Sequence, residues 1–403
     1  MKKITFKFLL LALIMTFSVF IISGCAVVET STGTTSAVTS AIKIIAAGQF
    51  SSFNGSSYNN LVQLDDTGTI DGNFNAGTGP AGPVYTTALQ DDKKVVIGGF
   101  FTSFNGDTHN YIARILANGT IDEDFSSGTG ANSFITTMAL QNDGKILICG
   151  MFTTYNGTAR VRIARLNADG TLDTNFDPGD GANQRINSIA LQTNGSILIG
   201  GIFTAYNGTA RAMLARVNPD GTLDAAFDPG TGANNNVSSI NVLSDGKILI
   251  TGAFTTYNGT TVNRIARLNV DGTIDNTFNN GGAGANDSIR SAAVLSDGSI
   301  IICGIFTTYN GTARSRVAKL SSDGTLNEDF DPGTGADAEV NTLKVQSTGK
   351  ILIGGDFTNY NRTDINRIAR LNADGTLDTS FNPGTGASTD SDWIYTIQTT
   401  TST

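Results

Sequence analysis

From Ile186 to Gln192 the chain alternates apolar and polar residues (INSIALQ). After Asn194-Gly195 an apolar run containing Gly200-Gly201 leads from Ile197 to Phe203. Alternation predicts a strand with one buried face, and a short apolar run bounded by turn residues predicts a strand buried on both. Beyond Tyr206-Asn207-Gly208 come Met213 to Val217, then Asp220-Gly221, then Thr222 to Phe227. Asn-Gly and Asp-Gly between apolar runs are hairpin signals, because both residues tolerate positive φ. The stretch from Ile186 to Phe227 therefore predicts four antiparallel strands joined by hairpins. No segment has helical spacing with caps.

The same pattern recurs along almost the whole chain. A phenylalanine before the aromatic-Asn turn falls at Phe50, Phe101, Phe152, Phe203, Phe254, Phe306 and Phe357, 51 residues apart except for one step of 52. A second phenylalanine closes each unit at Phe74, Phe125, Phe176, Phe227, Phe278, Phe330 and Phe381. Self-similarity at a fixed period signals stacked supersecondary units. A four-stranded sheet of this size cannot bury both faces alone, and stacking such sheets radially about an axis buries them. A linear β-solenoid is the competing arrangement, but its coils lack three tight hairpins each. The two chain ends favour the ring. Only Lys43 to Phe50 precedes the first marker, enough for a second strand but no first. Trp393 to Gln398 follows the last marker and resembles a lone first strand. Pairing it with Ile42 to Ala47 completes one blade from both ends and leaves no sheet edge exposed. The expectation is an all-β, seven-bladed β-propeller with four antiparallel strands per blade, one domain over 42–403.

The residues before the ring differ in kind. Lys2, Lys3 and Lys7 precede an apolar run from Phe8 to Ile22, which ends in Ile22-Ser23-Gly24-Cys25. That is a secretory signal over 1–24. Its last four residues resemble the lipobox of bacterial lipoproteins. The resemblance implies cleavage before Cys25, diacylation of the Cys25 sulfur and a location on the cell envelope, facing periplasm or exterior. An alanine at position 26 implies the outer membrane in envelopes of the enteric type. Residues 25–41, rich in Ser and Thr, read as a flexible tether.

Composition narrows the partners. The chain is glycine-rich (47 Gly) with a net charge of −9. An acidic surface without clustered Lys and Arg argues against nucleic acid. Besides Cys25 there are Cys149 and Cys303, at equivalent places in repeats three and six. Three blades apart, they are too distant for a disulfide, which needs Cα atoms within ~7 Å. Two free, buried thiols are expected.

Few residues look chemically active. Arg114, Arg165, Arg216, Arg267 and Arg370 recur on the third strand. Eight residues on from each lies Asp122, Asp173, Asp224, Asp275 or Asp378. Repeat six has Lys319 and Asn327 instead, weakening base and acid together. The hairpin between third and fourth strands brings these positions together. They read as structural ion pairs part-buried between blades, with a ring of ligand-binding arginines as the alternative. The turn Asn167-Ala-Asp169-Gly170 invites a calcium reading, but no bidentate Glu follows, and a hairpin turn stabilised by its own Asx side chain explains it more simply. No metal and no cofactor are expected. With one histidine, His109, a Ser-His-Asp triad or a His-rich metal site has little to work with. Carboxylate pairs of glycosidase type remain available among the many aspartates. They recur in every blade, whereas an active site usually breaks symmetry.

The pattern GGxFTxYNG…RIARLNxDGTLDxxFxPGTGA, as in Gly201 to Phe203 and Arg162 to Ala182, resembles the delta-60 repeat family. The likeness covers essentially all of 43–398. It implies a β-propeller on a bacterial surface or secreted protein, and it implies no catalytic residues. Repeat one departs most, with Gln63 for the usual Arg and Phe53 for the usual Tyr. The expected function is a lipid-anchored, monomeric binding or scaffolding module, more a binder than an enzyme, for a protein or glycan. Tyr155, Tyr206, Tyr257, Tyr309 and Tyr360, beside the Asn-Gly turns, are candidate ligand contacts, with core packing as the other reading. A glycan-active enzyme using carboxylates at the axis is the alternative. It predicts a non-repeating polar cluster at one mouth of the channel.

Overall fold

In the fourth repeat, Ile186–Leu191 pairs antiparallel with Ile197–Gly201, which pairs in turn with Leu214–Val217. The middle strand is buried along its whole length, as an apolar run covered on both faces must be. The computed structural model describes residues 42–387 and 392–400. The predicted signal, tether and Cys25 lie outside the described residues. Within the described residues the same three-stranded sheet occurs seven times, and no helix is present.

The inner strands stand side by side around an axis. Starting with Val84–Leu89, each lies against the inner strand of the next blade, up to Val340–Val345. Trp393–Thr399 fills the remaining place, between Val340–Val345 and Val84–Leu89. It pairs antiparallel with Lys43–Gln49, with Ile44 opposite Thr399 and Gly48 opposite Ile394. Gln398 Nε2 donates to Thr87 O at 3.1 Å across to the second blade. The ring is thus closed by strands from both ends of the domain.

The core lies in wedges between blades. Leu147, Cys149 and Ile163 of the third blade meet Ile186, Ile197, Ile199 and Phe203 of the fourth. The place of Cys149 takes only small residues, because the next inner strand packs directly on it. At Gly200 a Cβ would lie 2.7 Å from Val237 Cγ1. Cys149 and Cys303 are both buried and free.

The expected fourth strand is reduced to one bridge per blade, Leu166 to Leu172 in the third repeat and Val217 to Leu223 in the fourth. The chain bends away directly afterwards, where Asp173 Oδ1 accepts the Asn175 amide at 3.0 Å. A further two-stranded ribbon sits between middle and outer strands. Thr154–Tyr155 pairs with Thr158–Ala159 around Asn156-Gly157, whose φ values are 45 and 76. Those paired positive φ values are what an Asn-Gly hairpin turn supplies.

Candidate functional site

The recurring arginines and aspartates meet on the outer side of the ring. Nε of Arg114, Arg165, Arg216, Arg267 and Arg370 lies 2.6–2.7 Å from Oδ2 of Asp122, Asp173, Asp224, Asp275 and Asp378. Each guanidinium also reaches the following blade, as Arg165 Nη1 donates to Pro219 O at 2.6 Å. Each stacks on its own closing phenylalanine, Arg165 over Phe176 at 5.1 Å. A lysine just before the middle strand joins most of these carboxylates, such as Lys145 with Asp173 at 2.9 Å. Burial alone would raise the Asp173 carboxyl, but Lys145, the Asn175 amide and Arg165 outweigh it and hold it below the usual carboxylate range. Every arginine in this set is engaged by protein groups. The turn aspartates are also occupied by protein: Asp169 Oδ1 accepts the Thr171 amide at 3.0 Å and its hydroxyl at 2.6 Å.

The tyrosines expected as ligand contacts are not on the surface. Tyr155, Tyr206, Tyr257, Tyr309 and Tyr360 are all 0% exposed. The ribbon folds back over the turn that follows the outer strand, and each phenol donates to a glycine carbonyl there, Tyr206 to Gly221 O at 2.8 Å. They are core residues with a satisfied hydroxyl.

What breaks the repeat lies at the inner strands. In all seven blades the pairing of inner and middle strands slips by one residue near its start. Such a bulge re-aims the extra side chain. The seven extra residues are Tyr85, Thr136, Asn187, Ser238, Arg290, Asn341 and Tyr395, and all line one cavity of about 520 Å³. Phe134, Arg185, Asn236, Glu339, Asp356 and Trp393 complete its wall. The cavity opens on the face that carries the ribbons and the linkers between blades. Its volume falls in the range of small-ligand sites.

The wall has two chemically different halves. On one side the rings run edge to face: Trp393 with Tyr395 at 5.7 Å, Tyr395 with Tyr85 at 5.3 Å, Tyr85 with Phe134 at 6.0 Å, and Phe134 with Phe100 at 5.8 Å. Trp393 and Phe100 remain 37% and 52% exposed, unusual for such large apolar groups. On the other side polar groups bond to one another, both between blades and within them. Asn187 Nδ2 donates to Asn236 Oδ1 at 2.6 Å, Asn236 Nδ2 to Ser238 Oγ at 2.9 Å, and Arg290 pairs with Glu339. Asp356 lies 3.5 Å from Arg367. Burial pushes the Tyr85 phenol up, with the charge of Arg185 opposing, and burial likewise raises Tyr395. Both are therefore neutral hydroxyls at physiological pH.

None of these residues stood out as a candidate in the sequence. A signal for them exists in the repeats themselves. The position before the bulge stays β-branched (Val84, Ile135, Ile186, Val237, Ile289, Val340, Ile394). The bulge position runs through Tyr, Thr, Asn, Ser, Arg, Asn and Tyr.

Among solved structures the chain is similar to the WD40 beta propeller domain of Doa1, at 14% identity and a TM-score of 0.49, covering 81% of this chain and 88% of that one. It is also similar to virginiamycin B lyase from Staphylococcus aureus, at 15% identity and a TM-score of 0.44, covering 73% and 83%. A third is PorZ, a bacterial surface component of the type-IX secretion system of Porphyromonas gingivalis, at 12% identity and a TM-score of 0.41, covering 78% of this chain and 44% of that one. No curated protein sequence matches the chain. The family model described as "Domain of unknown function (DUF5122) beta-propeller" matches seven times, at 43–74, 90–125, 141–176, 192–227, 243–278, 295–330 and 346–381. The chain belongs to that β-propeller family.

Proposed function

We propose that this protein is a lipid-anchored binding module of the bacterial cell envelope, tethered through Cys25, that takes its ligand at the channel mouth lined by the seven bulge residues. The observation that carries the reading is the break in symmetry. The positions that repeat are consumed by the fold: the Arg–Asp pairs join blades, the tyrosines fill the core, and the turn aspartates hold their own turns. The bulge positions and most of those two residues before them vary in chemistry from blade to blade while facing one shared cavity. A scaffold without a ligand has no physical need for an open row of aromatic rings opposite linked amides. The apolar segment before Cys25 supports the envelope location.

Two measurements test this. Cys25→Ser should move the protein from the membrane fraction to the soluble fraction, and retention in the membrane overturns the anchor. A screen of the full-length protein against glycans and envelope proteins should find a saturable partner that is lost in Tyr85→Ser/Tyr395→Ser. A partner unaffected by that variant overturns the mouth.

A second reading has one observation in its favour. Glu339 and Asp356 bring two carboxylates from the same blade into the mouth, as a glycan-active enzyme would need. Turnover of a bound glycan that disappears in Glu339→Gln while binding persists would select it.

A further inference from the structure

The mouth contains a cation that the protein leaves without a partner. Arg290 is paired with Glu339, but Arg185 donates to no acceptor among the described residues, and its Nε is buried without one. It stands close enough to Tyr85 for its charge to oppose the rise of that phenol. A guanidinium presents a planar fork of donors that matches a carboxylate in bidentate fashion. A half-buried one without a protein partner keeps those donors available to an anion.

Beside it lies the aromatic arc, which presents apolar ring faces and two phenol hydroxyls, Tyr85 and Tyr395, that have no hydrogen-bond partner among the described residues. Across the cavity, Asn187, Asn236 and Asn341 offer amides that donate and accept at once. The apolar C–H face of a sugar ring packs on aromatic rings, and its hydroxyls need donors and acceptors together. Resting on the mouth as the binding site, we propose that the ligand is a carbohydrate bearing a carboxylate, a uronic or sialic acid residue. Its ring lies on Phe134 and Tyr85, and its carboxylate meets Arg185. The charge count favours a carboxylate over a phosphate. One unpaired guanidinium offsets a single negative charge. A dianion would bring a second negative charge beside Glu339 and Asp356, whose own arginines, Arg290 and Arg367, are already engaged, and like charges at close range disfavour binding.

Trp393 is the single tryptophan of the chain, so its fluorescence reports occupancy of the mouth directly. Full-length protein in detergent is titrated with trigalacturonate and with 3′-sialyllactose. Their neutral counterparts, carboxyl-reduced trigalacturonate and lactose, are run in parallel. At least one acid sugar should change the Trp393 emission saturably, and its neutral counterpart should bind about tenfold more weakly or worse, the loss of one charge-assisted pair. Arg185→Gln should erase that tenfold preference without lowering thermal stability, because Arg185 holds nothing in the fold. Arg185→Lys should restore part of it. Equal binding of acid and neutral sugars, an unchanged preference in Arg185→Gln, or no binding of either acid sugar at millimolar concentration overturns the proposal. If a neutral glycan or a protein still occupies the mouth and is lost in Tyr85→Ser/Tyr395→Ser, the binding module stands and only the acid-sugar inference falls.

Discussion

Arg165 Nε lies 2.7 Å from Asp173 Oδ2 within the third blade, while Nη1 of the same guanidinium reaches Pro219 O of the fourth blade at 2.6 Å. One side chain therefore neutralises a buried carboxylate and joins two blades. Arg165→Ala should cost about 2 kcal/mol in urea unfolding. That is less than the ~3–5 of a stranded buried charge, because Lys145 stays 2.9 Å from Asp173. The double variant Arg165→Ala/Asp173→Ala should recover part of the loss, since it removes the stranded acid. An unchanged midpoint in the single variant would show that the pair contributes nothing.

The seam between the chain ends can be tested with one methyl group. A Cβ on Gly48 would lie 1.8 Å from Trp393 O, within the pairing of the closing strands. Gly48→Ala should destabilise by about 3 kcal/mol, as overpacking against backbone does. It should also expose the amides of 394–399 to fast hydrogen exchange. Protection of those amides equal to the parent protein would mean that the closing strand is held elsewhere.

The buried hydroxyls of the ribbon tyrosines should be worth less than their burial suggests. Tyr206→Phe deletes one bond to Gly221 O and should cost about 1 kcal/mol. Repeats one and two already manage with Phe53 and Phe104 at this place. Loss of folding in Tyr206→Phe would contradict that equivalence.

Acid should loosen the ring. Asp122, Asp173, Asp224, Asp275 and Asp378 all have carboxyls lowered below the ordinary value, their basic partners and hydrogen bonds outweighing burial. A depressed folded value contributes stability that is present above the unfolded pKa, about 3.9, and is lost as pH falls toward the folded one. The melting temperature should stay level between about pH 5 and 8 and drop steeply below about 4. Asp173→Asn should flatten that drop, and a profile that falls already at pH 6 would point to other groups.

Thiol chemistry separates core from anchor. Burial pushes the Cys149 and Cys303 thiols well above their usual range, so an iodoacetamide probe should label neither in the native protein. With the sulfur of Cys25 acylated, as proposed above, unfolded mature protein should yield two reactive thiols from the three cysteines of the chain. Three would remove the lipid.

The blade, the number of blades and the closing of the ring could be read from the chain. Each rests on local signals, and Asn194-Gly195, Asp220-Gly221 and the seven phenylalanine markers repeat those signals until noise averages away. The Arg165–Asp173 pair could be read for the same reason, since an eight-residue spacing across one hairpin leaves little freedom. The place of Tyr206 could not. A two-residue strand has no alternation to show which side is buried, and its partner Gly221 belongs to another turn. The mouth was further out of reach. Tyr85, Asn187, Arg290 and Tyr395 lie far apart along the chain, and all they share in the sequence is a place after a β-branched residue. Only a one-residue slip in each strand pair turns them toward the axis, and only closure of the ring makes seven separate positions the wall of one cavity.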